Sequence, residues 1–256
     1  MRLFLTAAPA EYREAARWGL PLVHAAYRIG ESSVLLRQSL PLQARGGLLR
    51  MGDRDVPAVA DPDALCAAVE RECLRRGYEG AAADFTEPPR ADLAAFLRRL
   101  GPRLRARGLR LYVTEAYGNA AAEAAVLVGT ALSGGNCTEY LTEAAERWGG
   151  RLALDAERLR MDFPLPCPTG MGTPLSGAEF QALRERESPA VFFSPDLCAR
   201  YFTYRREGEH RFVLFDDADT LREKLRIGAE LGISTAFFSW PEVADIAGEL
   251  FSAPLP

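Results

Sequence analysis

Short apolar runs alternate with amphipathic stretches along most of the chain. The runs are Arg2–Thr6, Leu22–Arg28, Gly47–Met51, Gly80–Phe85, Leu109–Glu115, Ala124–Ala131, Arg151–Leu154 and Ile233–Trp240. Runs of this length between helical patterns predict parallel strands joined by crossover helices. Eight strands in about 250 residues is the size of a (β/α)8 TIM barrel. The helix signals agree. Asp61-Pro62-Asp63 opens a helix that stops at Gly77, with Asp61 as cap and Pro62 in the first turn. A second helix runs from Ala91 to about Arg107 and is interrupted or ended near Gly101-Pro102. A third spans Cys137 to Trp148 and stops at Gly149-Gly150. Before the last strand, Thr220-x-x-Glu223 reads as a capping box, and Gly232 ends the helix that it opens.

One stretch breaks the alternation. Pro164 to Gly177 (PLPCPTGMGTPLSG) is rich in Pro, Gly, Ser and Thr, and a charged stretch continues to about Ser188. The β-rich runs Ala190–Phe193, Arg200–Tyr204 and Phe212–Phe215 follow, with a hairpin turned at Glu207-Gly208-Glu209. This predicts a Pro/Gly-rich insertion with a hairpin, over about 164–216, before the last helix and strand of a single barrel domain spanning 1–256.

Composition narrows the chemistry. With 35 acidic and 31 basic residues the formal charge is −4, which leaves no electrostatic footprint for nucleic acid or an anionic membrane. Lys224 is the single lysine, and the helical pattern around it predicts a surface position, so a lysine Schiff-base mechanism is disfavoured. His24 and His210 are the only histidines, which disfavours metal sites built on several imidazoles. No metal and no cofactor is expected. Five cysteines without a CxxC pair, and no apolar run approaching about 18 residues, predict a reduced, cytoplasmic protein. The short apolar run at the N-terminus turns charged by Glu11, against a signal peptide.

In an eight-stranded barrel the site lies at the C-terminal strand ends. Carboxylates and aromatic residues dominate there: Tyr27, Asp84, Thr86, Glu87, Glu115, Tyr117 and Trp240, with Asp162 as a further mouth residue. That combination suits a sugar, whose hydroxyls bond to acids and whose apolar faces stack on rings. Alternation within Gly80–Phe85 places Ala81, Ala83 and Phe85 on one face and Ala82, Asp84 and Thr86 on the other. With the first set under the helices, Asp84 points into the barrel. A desolvated carboxylate there has a raised pKa unless it is paired. Glu115 shares parity with the helix-facing residues of its strand and reaches the mouth only if the strand ends before it. Asp155 falls in a turn, Asp155-Ala156-Glu157. Gly134-Gly135-Asn136 lacks phosphate-loop spacing and reads as a plain strand-to-helix turn.

The segment Gly77-Tyr78-Glu79-Gly80-Ala81-Ala82-Ala83-Asp84-Phe85-Thr86-Glu87-Pro88 resembles the fourth strand of family-18 glycoside hydrolases, the chitinase-like barrels. That family reads Gly-aromatic-Asp-Gly-x-Asp-x-Asp-aromatic-Glu there. Phe212 to Asp217, Thr220-Leu221, Lys224 and Leu231-Gly232 resemble its approach to the final strand, so the likeness covers roughly 47–88 and 200–240. The resemblance implies a glycosidase barrel in which the last Glu of the motif is the general acid. The Asp two places earlier positions the substrate's N-acetyl group for attack on the anomeric carbon, a substrate-assisted route. Asp84 matches that Asp, Glu79 replaces the first Asp, Ala82 the middle one, and Thr86 stands where the acid belongs. The family's Met-x-Tyr-Asp has no match in Val128-Gly129-Thr130-Ala131, and its last-strand Trp falls on Ser239, one place before Trp240. Three readings follow. The barrel binds a glycan or related ligand without efficient hydrolysis; or Asp84 and Glu87 serve as catalytic residues on an N-acetylhexosamine-containing substrate; or the insertion docks a protein partner on a non-catalytic scaffold.

Overall fold

The computed structural model describes residues 1–39 and 45–252. Eight parallel strands close into a barrel: Arg2–Ala7, Leu22–Ile29, Leu48–Gly52, Gly80–Asp84, Arg110–Thr114, Ala125–Gly129, Leu152–Asp155 and Thr235–Ser239. The first strand pairs with both the second and the last, which closes the ring. The apolar runs owe their length to this closure. A strand covered by helices outside and side chains inside has no solvent face, so it reads as continuous apolar sequence rather than alternation.

Each strand sends one residue into a common interior layer: Phe4, Val23, Leu48, Ala82, Tyr112, Leu127, Ala153 and Phe237. The layer combines three rings, two alanines and three aliphatic residues. Phe4 stacks on Phe237 at 5.0 Å, and Tyr112 meets Phe237 edge-on at 4.9 Å. Ala81, Ala83 and Phe85 instead belong to the larger core between strands and helices, as their parity predicts.

The helix ends follow the sequence with two exceptions. Asp61 accepts from the Ala64 N–H at 2.9 Å, and Gly77 closes that helix at φ 65°. The helix Ala91–Ala106 runs through Pro102 instead of stopping there. Gly101 lets it lie close on its neighbour, since a Cβ there would sit 3.1 Å from that of Glu123. The helix Ala218–Glu230 is capped by Asp217, with Thr220 returning the bond to the Asp217 N–H. The box therefore starts three residues before the expected Thr220.

Between the seventh and eighth barrel strands the chain builds a five-stranded antiparallel sheet from Arg160–Leu165, Thr173–Pro174, Phe192–Ser194, Ala199–Arg206 and Glu209–Phe215. It starts at Arg160, just before the Pro/Gly-rich run. The helix Gly177–Glu187 covers one face through Phe180 and Leu183, which pack on Phe202, Val213 and Phe215. The other face meets the barrel mouth through Leu159, Met161, Phe163 and Leu214.

Where this sheet joins the barrel lies a fully buried ion pair. Lys224 is fully buried rather than on the surface, because its Nζ donates to both carboxylate oxygens of Asp216 at 2.8 Å. Asp216 also accepts from the Leu159 N–H at 3.0 Å and the Thr220 hydroxyl at 2.8 Å. Burial pushes the Asp216 carboxyl up; Lys224 and these donors pull it back. No described helix is long and apolar enough to cross a membrane.

Candidate functional site

A cavity of about 530 Å³ opens at the carboxyl ends of the barrel strands. Its floor is the interior layer itself: Val23, Ala82, Leu127 and Phe237. One step further along the strands the inward positions become polar, and Thr6, Arg50, Asp84, Asp155 and Ser239 ring the opening. The antiparallel sheet and the residues flanking its strands supply the far wall with Leu159, Arg160, Met161 and Leu175.

Arg50 shares the inward parity of Leu48. The third and fourth strands are in register, Arg50 opposite Ala82 and Gly52 opposite Asp84, so the guanidinium reaches across to the neighbouring carboxylate. Nε donates to Asp84 Oδ2 at 2.7 Å, and a second guanidinium nitrogen donates to the same oxygen. Asp84 is thus held as an ion pair.

Asp155 shares the inward parity of Ala153 and ends the seventh strand. Its backbone is engaged, its carbonyl accepting from the Thr130 N–H at 3.0 Å. No described residue hydrogen-bonds its carboxyl. Burial first, then repulsion from Glu157 and Asp84, pushes this carboxyl up to about 8, against the pull of Arg50. Glu157 lies two residues on, toward solvent. Its Oε2 lies over Gly129 at the end of the sixth strand, 2.6 Å from where a Cβ would stand. Desolvation, then repulsion from Asp84 and Glu242, raises Glu157 against the pull of Lys224.

The remaining cations of the cavity are engaged. Arg160 pairs with Glu242, and Arg158 with Asp245 while also donating to the carbonyls of Asp216 and Glu242.

Of the residues singled out in the sequence, Asp84 and Thr86 line this cavity. Thr86 is exposed at the rim, its N–H donating to Asp53 at 2.9 Å. The same Asp53 accepts the Glu87 N–H at 3.0 Å, and the exposed Glu87 is not among the lining residues. The others sit away from the mouth, each for a packing reason. Tyr27 is buried on the helix side, with its hydroxyl on Glu72 and Tyr78 at 2.9 Å. The strand ends at Thr114, and Glu115 turns toward Arg147 and the Trp148 indole rather than the mouth. Tyr117 packs edge-on against Phe85 and accepts the Arg90 N–H at 2.9 Å. Asp162 is buried in the antiparallel sheet, bound by the Tyr204 hydroxyl and Arg211 at 2.9 Å. Trp240 opens a short helix, Trp240–Val243, in the outer core. His24 is buried with Nε2 on the Gly46 carbonyl at 2.9 Å, and burial lowers its pKa. Asn136 caps its helix through the Thr138 and Glu139 amides, which occupies the donors a phosphate would need.

Asp155, Glu157 and Arg50 are among the mouth residues that the sequence reading missed. Strand parity held the signal for two of them: Leu154 and Leu152 face outward, so Asp155 faces inward, and Arg50 is a lone cation in an apolar strand. Glu157 follows no periodicity.

No family sequence model and no curated protein matches the chain. Solved structures do. A chitinase from Chromobacterium violaceum ATCC 12472 superposes with a TM-score of 0.68 at 16% identity, over 98% of this chain and 99% of its own. The spore cortex-lytic enzyme SleL of Bacillus megaterium QM B1551 gives 0.66 at 15%, over 100% and 75%. A GH18 chitinase from Cycas revoluta, solved in complex with (GlcNAc)4, gives 0.66 at 13%, over 98% of both chains. At these identities the likeness is one of fold, and the chain carries the (β/α)8 barrel of the family-18 chitinases and the spore cortex-lytic enzymes.

Proposed function

We propose that the mouth cavity binds a glycan and that the protein does not hydrolyse it efficiently by the route of the chitinase-like barrels. The observation that carries this reading is the content of the cavity. It combines an apolar floor with Phe237, a ring of hydroxyls and carboxylates, and a threonine at the position of the expected acid. Pyranose rings need both kinds of surface. A threonine donates no proton at neutral pH. Glu87, the nearest substitute, lies outside the lining, with its backbone tied to Asp53. Asp84, the match to the residue that positions an N-acetyl group, is paired with Arg50.

Calorimetry with short hexosamine oligosaccharides tests the binding, and a fluorogenic N-acetylglucosaminide tests the chemistry. We expect saturable binding that Ser133→Trp at the exposed rim weakens without changing the circular dichroism spectrum, and no appreciable turnover. Absence of binding overturns the reading. So does rapid turnover that Glu87→Gln abolishes.

A further inference from the structure

Each cation that lines the mouth cavity already has a carboxylate: Arg50 has Asp84, Arg160 has Glu242, and Arg158 has Asp245. Asp155 and Glu157 have none. Asp155 is enclosed by protein except toward the cavity, and its carboxyl accepts no hydrogen bond from any described residue. A deep carboxyl without donors is costly to ionise. Proteins resolve that cost with a partner or with a proton. Glu157 is exposed at the rim of the same cavity, its Oε2 lying over Gly129. Two acceptor groups are therefore held at one wall of a cavity, with the local cations spent elsewhere.

We propose that the glycan taken by this cavity is a hexosamine with a free amine, its ammonium seated between Asp155 and Glu157. This rests on the glycan reading above and names its substrate class. An ammonium brings three N–H donors and a positive charge to two acceptor groups that lack both. An N-acetyl group brings one donor and no charge, so it leaves Glu157 and an ionised Asp155 without a counter-charge. The hydroxyls of Thr6, Ser133 and Ser239 line the same cavity, and Phe237 offers its ring as floor. These complete a site for a sugar rather than for an acyclic amine.

The charged groups that act on this wall are Asp84 and Arg50 for Asp155, and Asp84, Lys224 and Glu242 for Glu157. With Asp155 raised to about 8, it carries a proton at pH 6. A sugar amine, with an ordinary value near that of an α-amino group at about 7.7–8.0, is charged at that pH. Seating the ammonium lowers the Asp155 pKa, so binding expels a proton to solvent.

The test is calorimetry at pH 6 in two buffers of different ionisation enthalpy. The probes are a β-1,4-linked glucosamine trimer, its fully N-acetylated counterpart, and spermidine. We expect the glucosamine trimer to bind about ten- to a hundredfold more tightly than the acetylated trimer, as a charge-assisted hydrogen bond in a recess provides. Its binding releases up to one proton, whereas the acetylated trimer releases none. Asp155→Asn, which preserves shape, removes both the preference and the proton release, and Glu157→Gln reduces the preference. The acetylated trimer binding as well or better overturns the amine assignment and leaves the glycan reading standing. Spermidine matching the glucosamine trimer overturns the sugar assignment. Failure of all three to bind overturns the glycan reading as well. A preference with no proton release in the parent protein places the ammonium away from Asp155 and overturns the assignment too.

Discussion

Replacing Lys224 by methionine isolates the cost of one uncompensated charge. The substitution keeps the unbranched stem and removes the ammonium. Asp216 then retains the Leu159 N–H and the Thr220 hydroxyl as donors and loses its counter-charge in a site with no exposure on either side chain. Breaking a buried pair from one side costs about 3–5 kcal/mol. For a chain of this size that corresponds to a melting point lower by roughly 6–20 °C. The deficit depends on pH, with a definite sign. Without Lys224 the folded pKa of Asp216 rises further above its unfolded value, so the penalty is absent below the unfolded pKa, near 4. It grows as pH rises and is complete above the folded value. Lys224→Met with Asp216→Asn removes the charge and keeps an acceptor for the Leu159 N–H, so the double variant recovers most of the loss. Denaturation followed by tryptophan fluorescence and circular dichroism at pH 4.5 and 7.5 measures all three proteins. A single-variant cost below about 1 kcal/mol at pH 7.5, the range of exposed pairs, refutes the reasoning. So does a double variant no better than the single one.

Two further outcomes follow from the same structure. Phe237→Ala removes the ring that touches Phe4 and Tyr112 in the barrel interior and should destabilise by about 3–5 kcal/mol, measured by chemical denaturation; a loss under about 1 kcal/mol would mean that the layer closes over the gap. Asp53→Ala leaves the Thr86 and Glu87 amides without their acceptor and should raise hydrogen exchange over residues 85–88 with a stability loss of about 1–2 kcal/mol; unchanged exchange there would show that the segment after the fourth strand is held by something else.

The architecture was legible because its chemistry is local. Eight short apolar runs, each terminated by turn residues, are what a sheet buried on both faces imposes, and the runs coincide with the eight barrel strands within a few residues. The inward aim of Asp84 was legible for the same reason: a period of two in an alanine-rich strand assigns every side chain to a face. The site as a whole was not. Strand-end position alone does not separate a residue that lines the mouth from one that turns outward, as Tyr27, Glu115 and Tyr117 do. Their partners lie in distant segments: Glu72 and Tyr78 for Tyr27, Arg147 and Trp148 for Glu115, Arg90 for Tyr117. Lys224 was misplaced on similar grounds. A helical pattern tells which residues share a face, but the second sheet that covers this face starts more than sixty residues earlier, at Arg160. Likewise Asp162 resembled a mouth acid until Tyr204 and Arg211 supplied its partners.

The wall of the cavity has a consequence for how this protein would respond to occupancy. Arg160 and Met161 come from the antiparallel sheet, with Leu159 and Leu175 flanking its strands, and the floor comes from the barrel. A ligand in the cavity therefore touches two bodies of structure whose hydrogen-bond ladders are separate. Any fluctuation that lifts the sheet dismantles the site, and any occupant resists that fluctuation by the free energy of its own binding. Proteolytic protection of the segment 160–215 thus becomes a binding assay that needs neither a labelled sugar nor turnover.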